Sequence, residues 1–256
     1  MERLKRRDKL FVCAHRGYMS RYPENSLLAF QKALDMKVDA IEMDLHYSKD
    51  KKIVVIHDDS LDRMTNGTGK VADFTYEELK QYRLLNPDGT ESEEHIPLFE
   101  EYLALTKNEP DLMHFVEVKS QPLAHQLFEE AYLMLEAADV VDRTLLTTFD
   151  YRVTLAAKAK GMMVQSFATD KMKYFDESIS EAAYFDQIDV IGLFIQTATK
   201  EVIDHYIAND LQFTLVPCDT LADVEHAVEI GVNILASNEL ASSIAYRNAQ
   251  NTLKGV

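Results

Sequence analysis

The chain has 256 residues, of which 46% are aliphatic or aromatic and 27% charged, the balance of a soluble folded protein rather than a disordered one. Its 43 acidic residues against 27 basic ones give a formal net charge of −16. Nucleic-acid binding or stable association with an anionic membrane needs a basic surface that this composition does not supply. The basic start, Met1 to Lys9, has no apolar stretch behind it of the length a signal peptide or spanning helix needs, so a cytoplasmic protein is expected. Cys13 and Cys218 lie in apolar, strand-like runs and read as buried free thiols.

In chain order, a strand is expected over 9–14, ending at His15-Arg16-Gly17. A helix follows from Asn25 or Ser26, with Leu27, Phe30, Ala33 and Leu34 as its apolar stripe. The second strand, 39–44, leads into the short polar turn Tyr47 to Lys52 and then another apolar run, Ile53 to His57. A parallel crossover needs roughly a dozen residues or more, so this connection is a hairpin. The returning strand thus belongs to an insertion, about 46–111, that brings His57 back toward the mouth of the fold. The insertion carries turns at Asn66-Gly67-Thr68-Gly69 and Pro87-Asp88-Gly89 and a helical stretch near 98–107.

From there, strand-like runs at 112–118, 144–148, 162–167, 188–194, 212–216 and 232–236 alternate with segments of helical period. That makes eight strands, each followed by a helix except the second. The expected fold is a (β/α)8 TIM barrel with a small insertion after the second barrel strand.

Strand side chains alternate between faces, so Glu42 and Asp44 point together into the barrel near its C-terminal end, where barrel enzymes keep their active sites. Adjacent carboxylates repel unless a cation sits between them, and an all-oxygen set suits one hard divalent ion, Mg²⁺ or Ca²⁺. Glu117, on the inward face of the third barrel strand with Phe115 and Lys119, is a third candidate ligand. His15 shares the face of Phe11 and Cys13, while Arg16 and Lys119 are suited to holding phosphate oxygens. With His57-Asp58, these residues are the parts needed for metal-assisted attack on a phosphate ester. Any one of them alone reads as a solvated or salt-bridged group; their convergence at one end of consecutive strands overrides that. His46, His95, His114, His125, His205 and His226 read as structural or exposed, and Asp62-Arg63 as a loop-ordering ion pair.

At this point the chain resembles the glycerophosphodiester phosphodiesterases. The match runs through His15-Arg16-Gly17, Pro23-Glu24-Asn25-Ser26, Glu42 with Asp44, His57-Asp58, Leu61, Arg63, Thr65, Gly67, Gly69, Ile96 to Glu101, and Glu117-Val118-Lys119. The resemblance implies metal ligation by Glu42, Asp44 and Glu117, acid and base roles for His15 and His57, and phosphate contact by Arg16 and Lys119. It also implies release of an alcohol from a glycerophosphodiester, leaving glycerol 3-phosphate. Either histidine can then be the base, and either water or the glycerol hydroxyl the nucleophile. The second half departs from the family pattern: the chain has no tryptophan, Thr214 to Cys218 standing in the seventh strand, and Ser237-Asn238-Glu239-Leu240 replaces Thr-Asp-x-Pro. The rival readings are a barrel phosphodiesterase for a lysophospholipid or phosphoinositide, which calls for an apolar rim not evident in this acidic chain, and a non-catalytic binding protein.

Overall fold

The computed structural model describes Leu4 and residues 9–167, 181–207 and 211–254; most of the basic N-terminal segment lies outside these. Among the described residues nine strands form one sheet: β1 (Phe11–Ala14), β2 (Ala40–Tyr47), β3 (Ile53–Val55), β4 (Met113–Val118), β5 (Thr144–Thr148), β6 (Met163–Phe167), β7 (Val190–Phe194), β8 (Gln212–Val216) and β9 (Ile234–Ser237). All except β3 run parallel, in the order β1-β9-β8-β7-β6-β5-β4-β2, and pairing of β1 with β2 closes the ring. The helices are α1 (Leu27–Asp35), α2 (Tyr76–Leu79), α3 (Phe99–Leu105), α4 (Ala124–Ala137), α5 (Tyr151–Ala159), α6 (Glu181–Phe185), α7 (Lys200–Ile207), α8 (Leu221–Ile230) and α9 (Leu240–Lys254). Among the described residues, no helix is long and apolar enough to cross a membrane.

The period-two pattern places the core. Ile41, Met43 and Leu45 join Val116 and Val118 in the layer between strands and helices. Ala40 and Phe115 face the barrel interior with Phe11, Cys13 and Val190, and Leu4 is buried among them. Both cysteines are buried free thiols. The α1 start is set by Ser26, whose hydroxyl accepts the Ala29 amide at 2.9 Å.

Near the barrel mouth β3 takes over an edge of β2. Cys13 and Ala14 pair with Ala40 and Ile41, but farther along Leu45, His46 and Tyr47 pair antiparallel with Val55, Val54 and Ile53. The segment that follows has its own apolar centre, including Ile56, Leu61, Val71, Leu79 and Ile96. One part of the sequence reading changes here: the second barrel strand does have a helix. Phe99 and Tyr102 of α3 sit in the strand–helix layer, with Tyr102 edge-on to Phe30 of α1 at 5.0 Å. The excursion away from the barrel therefore covers 48–98, narrower than 46–111, because burial of Tyr102 returns α3 to the wall.

Tyr102 also fixes an acid-sensitive point, its Oη lying 2.7 Å from Nδ1 of fully buried His114. Burial, reinforced by Arg143, lowers the His114 imidazole from 6.5 to about 3. Between these values the unfolded chain binds a proton there that the native ring refuses. Stability is thus intact above pH 6.5 and declines as pH falls toward 3. Joint replacement His114→Leu and Tyr102→Phe should make this decline shallower in urea titrations between about pH 4 and 6. An unchanged slope would assign it to other groups.

Candidate active site

The predicted residues meet at the C-terminal end of the barrel. Parallel pairing sets Asp44 directly beside Glu117, and Glu42 lies one inward step earlier on β2. One carboxylate oxygen from each of Glu42, Asp44 and Glu117 lies within 4.8 Å of the others. All three side chains are buried, Asp44 almost completely at 1% exposure. Lys119 bridges two of them, its Nζ 2.7 Å from Asp44 and 2.6 Å from Glu117. Burial opposes the Asp44 charge, but Lys119 and Arg16 outweigh it and hold the carboxyl well below the usual range.

Asn25, on the loop into α1, donates from Nδ2 to Asp44 Oδ2 at 2.8 Å. Arg16 stands beside them: its Nη1 donates to Glu24 at 3.0 Å, its Nε lies 3.5 Å from Asp44, and its backbone N–H donates to Glu42 at 2.9 Å. Both Arg16 and Asn25 have left-handed backbones, at φ 53° and 57°, a strained state retained where surroundings enforce it. An Asn25 N–H to Arg16 carbonyl bond of 3.0 Å locks the two together. Gly17, at φ 77°, follows so closely that a Cβ there would meet the Ala29 backbone at 2.8 Å; no side chain fits.

The donor set accommodates a divalent cation. Its ligands are oxygens only, as Mg²⁺ and Ca²⁺ prefer. Three carboxylates face two fixed positive charges, Arg16 and Lys119, and Glu42 registers the imbalance: burial, then Asp44, pushes its carboxyl well above the usual value. A cation among the three relieves that repulsion.

His15 and His57 complete the cluster from the ends of two different strands. His15 follows β1 with its Nε2 3.9 Å from Glu42, and His57 follows β3 with its Nδ1 donating to Asp58 at 2.6 Å. Together with Arg16, Glu117 and Lys119 they line one cavity of about 740 Å³.

A model of the glycerophosphoryl diester phosphodiesterase family matches residues 15–238, from His15 through Asn238. The chain belongs to this family. A Bacillus altitudinis glycerophosphodiester phosphodiesterase is 37% identical over 145 residues, covering 55% of this chain and 58% of that protein. The uncharacterized Bacillus subtilis protein YqiK is 31% identical over 196 residues, covering 74% and 80%. Among solved structures, an Oleispira antarctica phosphodiesterase in complex with its product sn-glycerol-3-phosphate superposes with a TM-score of 0.79 at 19% identity, over 93% of this chain and 96% of that one. Glycerophosphodiester phosphodiesterase from Agrobacterium tumefaciens superposes at 0.74 with 20% identity, over 92% and 99%. At these identities the structural likeness is one of fold.

Several contacts around the cluster lie beyond the sequence reading. Where the pattern has Thr-Asp, this chain has Ser237-Asn238, and Asn238 Oδ1 meets His15 Nδ1 at 2.7 Å. Asp219 anchors the amide, accepting Asn238 Nδ2 at 2.9 Å and the Asn238 and Glu239 backbone N–H groups at 2.6 and 2.9 Å. His46, read as structural or exposed and without supporting neighbours, is buried at the cavity edge, its Nε2 3.2 Å from the His57 carbonyl. Arg63 pairs with Glu24 and Asp58 rather than with Asp62, which instead accepts the Gly69 amide at 3.1 Å. The cavity also has an apolar side that the sequence reading left out: Phe149, Phe167 and Phe194 stack at centroid distances of 5.4 and 5.5 Å. Gly192 makes room for this stack, since a Cβ there would strike the Phe167 ring at 2.5 Å.

Proposed function

We propose that this chain hydrolyses glycerophosphodiesters to an alcohol and glycerol 3-phosphate, using one divalent cation held by Glu42, Asp44 and Glu117. The observation that carries the reading is the cluster of those three buried carboxylates directly beside a cavity lined by Glu117, Arg16, Lys119 and both histidines. Family membership supports it, as does the fold shared with a protein solved with glycerol 3-phosphate bound. When bound, such a cation polarises a phosphoryl oxygen and stabilises the charge that builds there.

Arg16 and Lys119 hold the remaining phosphoryl oxygens and stabilise the same charge. The histidines divide the proton transfers. Because the Asn238 amide spends Nδ2 on Asp219, its Oδ1 accepts, so His15 Nδ1 carries the proton and Nε2 keeps a lone pair. Burial and the adjacent Arg16 lower this ring to about 4, keeping it neutral at physiological pH. His15 is therefore the base that deprotonates the nucleophile. His57 donates Nδ1 to the Asp58 carboxylate, which orients the ring toward the cavity it lines, and it protonates the leaving alkoxide.

The phenylalanine stack favours a second reading of the substrate, a lysophospholipid whose acylglycerol side lies against the stack and keeps the phosphate while the head-group alcohol leaves. One assay compares both: release of glycerol 3-phosphate from glycerophosphocholine, glycerophosphoethanolamine and glycerophosphoglycerol, and of choline or lysophosphatidate from lysophosphatidylcholine, with Mg²⁺, Ca²⁺ or chelator. Metal-dependent release from the soluble diesters is the expected result. Turnover of the lysophospholipid alone would move the assignment to the second reading, and no release from any substrate with either metal would overturn both.

A further inference from the structure

The insertion returns one guanidinium to the mouth of the barrel. Arg63, between β3 and α2, donates from Nη1 and Nη2 to the two oxygens of Glu24 at 2.7 and 2.9 Å. Its Nε and Nη2 donate to the two oxygens of Asp58 at 2.8 and 3.2 Å. Each carboxylate then passes the constraint inward. Glu24 accepts Arg16 Nη1 at 3.0 Å, and Asp58 accepts His57 Nδ1 at 2.6 Å.

We propose that Arg63 is a positioning residue that sets Arg16 and His57 in a common frame, so that phosphate contact and leaving-group protonation are aligned by a single side chain of the insertion. The proposal rests on the reading that these two residues work on the phosphodiester. Arg16 comes from the loop after β1 and His57 from the end of β3; within this chain of contacts, Arg63 is the link between them. The planar fork of arginine satisfies both carboxylates at once, whereas a lysine ammonium is a compact charge without that geometry. The Arg63 side chain is 49% exposed, so as a surface ion pair it contributes little to folding. Its effect is on placement, and misplacing a reacting group by roughly an ångström costs up to about a hundredfold in rate.

Arg63→Gln and Arg63→Lys are compared with the intact chain by kcat and KM on the best glycerophosphodiester, by calorimetric binding of glycerol 3-phosphate, and by thermal unfolding. The expected result is a fall in kcat of about ten- to a hundredfold in both variants, with weaker glycerol 3-phosphate binding and a nearly unchanged melting temperature. Millimolar guanidinium should restore part of the kcat of Arg63→Gln. Should the glutamine variant not fold, Arg63→Lys carries the comparison. Wild-type kcat and product affinity in a folded variant would overturn the proposal. Full activity in the lysine variant would do the same, because it reduces the role to charge alone. If the intact chain turns over no diester, the functional reading fails instead, and Arg63 is judged by glycerol 3-phosphate binding: unchanged affinity in the variants overturns it.

Discussion

Asp44→Asn should abolish divalent-cation binding and turnover together and destabilise the fold, although the substitution changes almost no volume. Asp44 is 1% exposed and holds its charge through Lys119 at 2.7 Å, Arg16 at 3.5 Å and the Asn25 amide at 2.8 Å. An asparagine leaves both cations buried with one partner fewer, a loss of about 3–5 kcal/mol when a buried pair is broken. It also removes one of the three proposed ligands and a negative charge that attracts a dication. Calorimetric titration with Mg²⁺ or Ca²⁺, alongside denaturant unfolding, reads these effects separately. Cation affinity equal to that of the unaltered chain would show that the ion is held elsewhere. In the unaltered chain the same cations should raise the melting temperature, since they bind the native carboxylate cluster and relieve the repulsion on Glu42, and chelator should reverse the gain.

His15→Ala and His57→Ala should each lower kcat by about 10²–10⁴-fold while leaving cation affinity in place. The two losses should differ in their dependence on the leaving group. A p-nitrophenyl diester of glycerol phosphate expels an anion that needs no proton, so most of the His57→Ala defect should vanish on it. The His15→Ala defect should persist, because the nucleophile still lacks its base. The same rescue in both variants, or rescue of His15→Ala alone, would reverse or dissolve the proposed division of labour. An acid-side fall in kcat due to His15 should come well below pH 6.5, since its ring titrates at about 4.

Local sequence pattern was enough to locate the strands and the acidic floor. Alternation along 40–46 sends Glu42 and Asp44 inward, and the parallel register does put Glu117 beside Asp44. The hairpin that carries His57 back followed from the shortness of the Tyr47 to Lys52 connection, and the structure pairs β2 and β3 antiparallel. What local pattern cannot carry is partnership across long stretches of chain. Nothing near Arg63 signals that its guanidinium spans Glu24 and Asp58, and nothing near Asn238 signals His15. The helical stretch at 98–107 was visible, but its return to the barrel depends on Tyr102 meeting Phe30 and His114, which lie on two other elements. The phenylalanine wall was within reach: Phe167 and Phe194 end their strands as Glu117 nearly ends its own, and the same strand-end logic selects them.

The pairing of β1 with β9 gives the chemistry a schedule. His15 and Asn238 are 223 positions apart, and Tyr18 and Arg21 grip Glu239 across similar spans, at 2.6 and 3.0 Å. Joining such distant segments comes with a large loop-closure entropy and slows folding. The acidic cluster on β2 and β4 draws on the first half of the chain alone, whereas Asn238, whose amide meets His15 Nδ1, follows the last strand. On the proposed mechanism, the onset of activity during refolding should therefore follow the docking of β9.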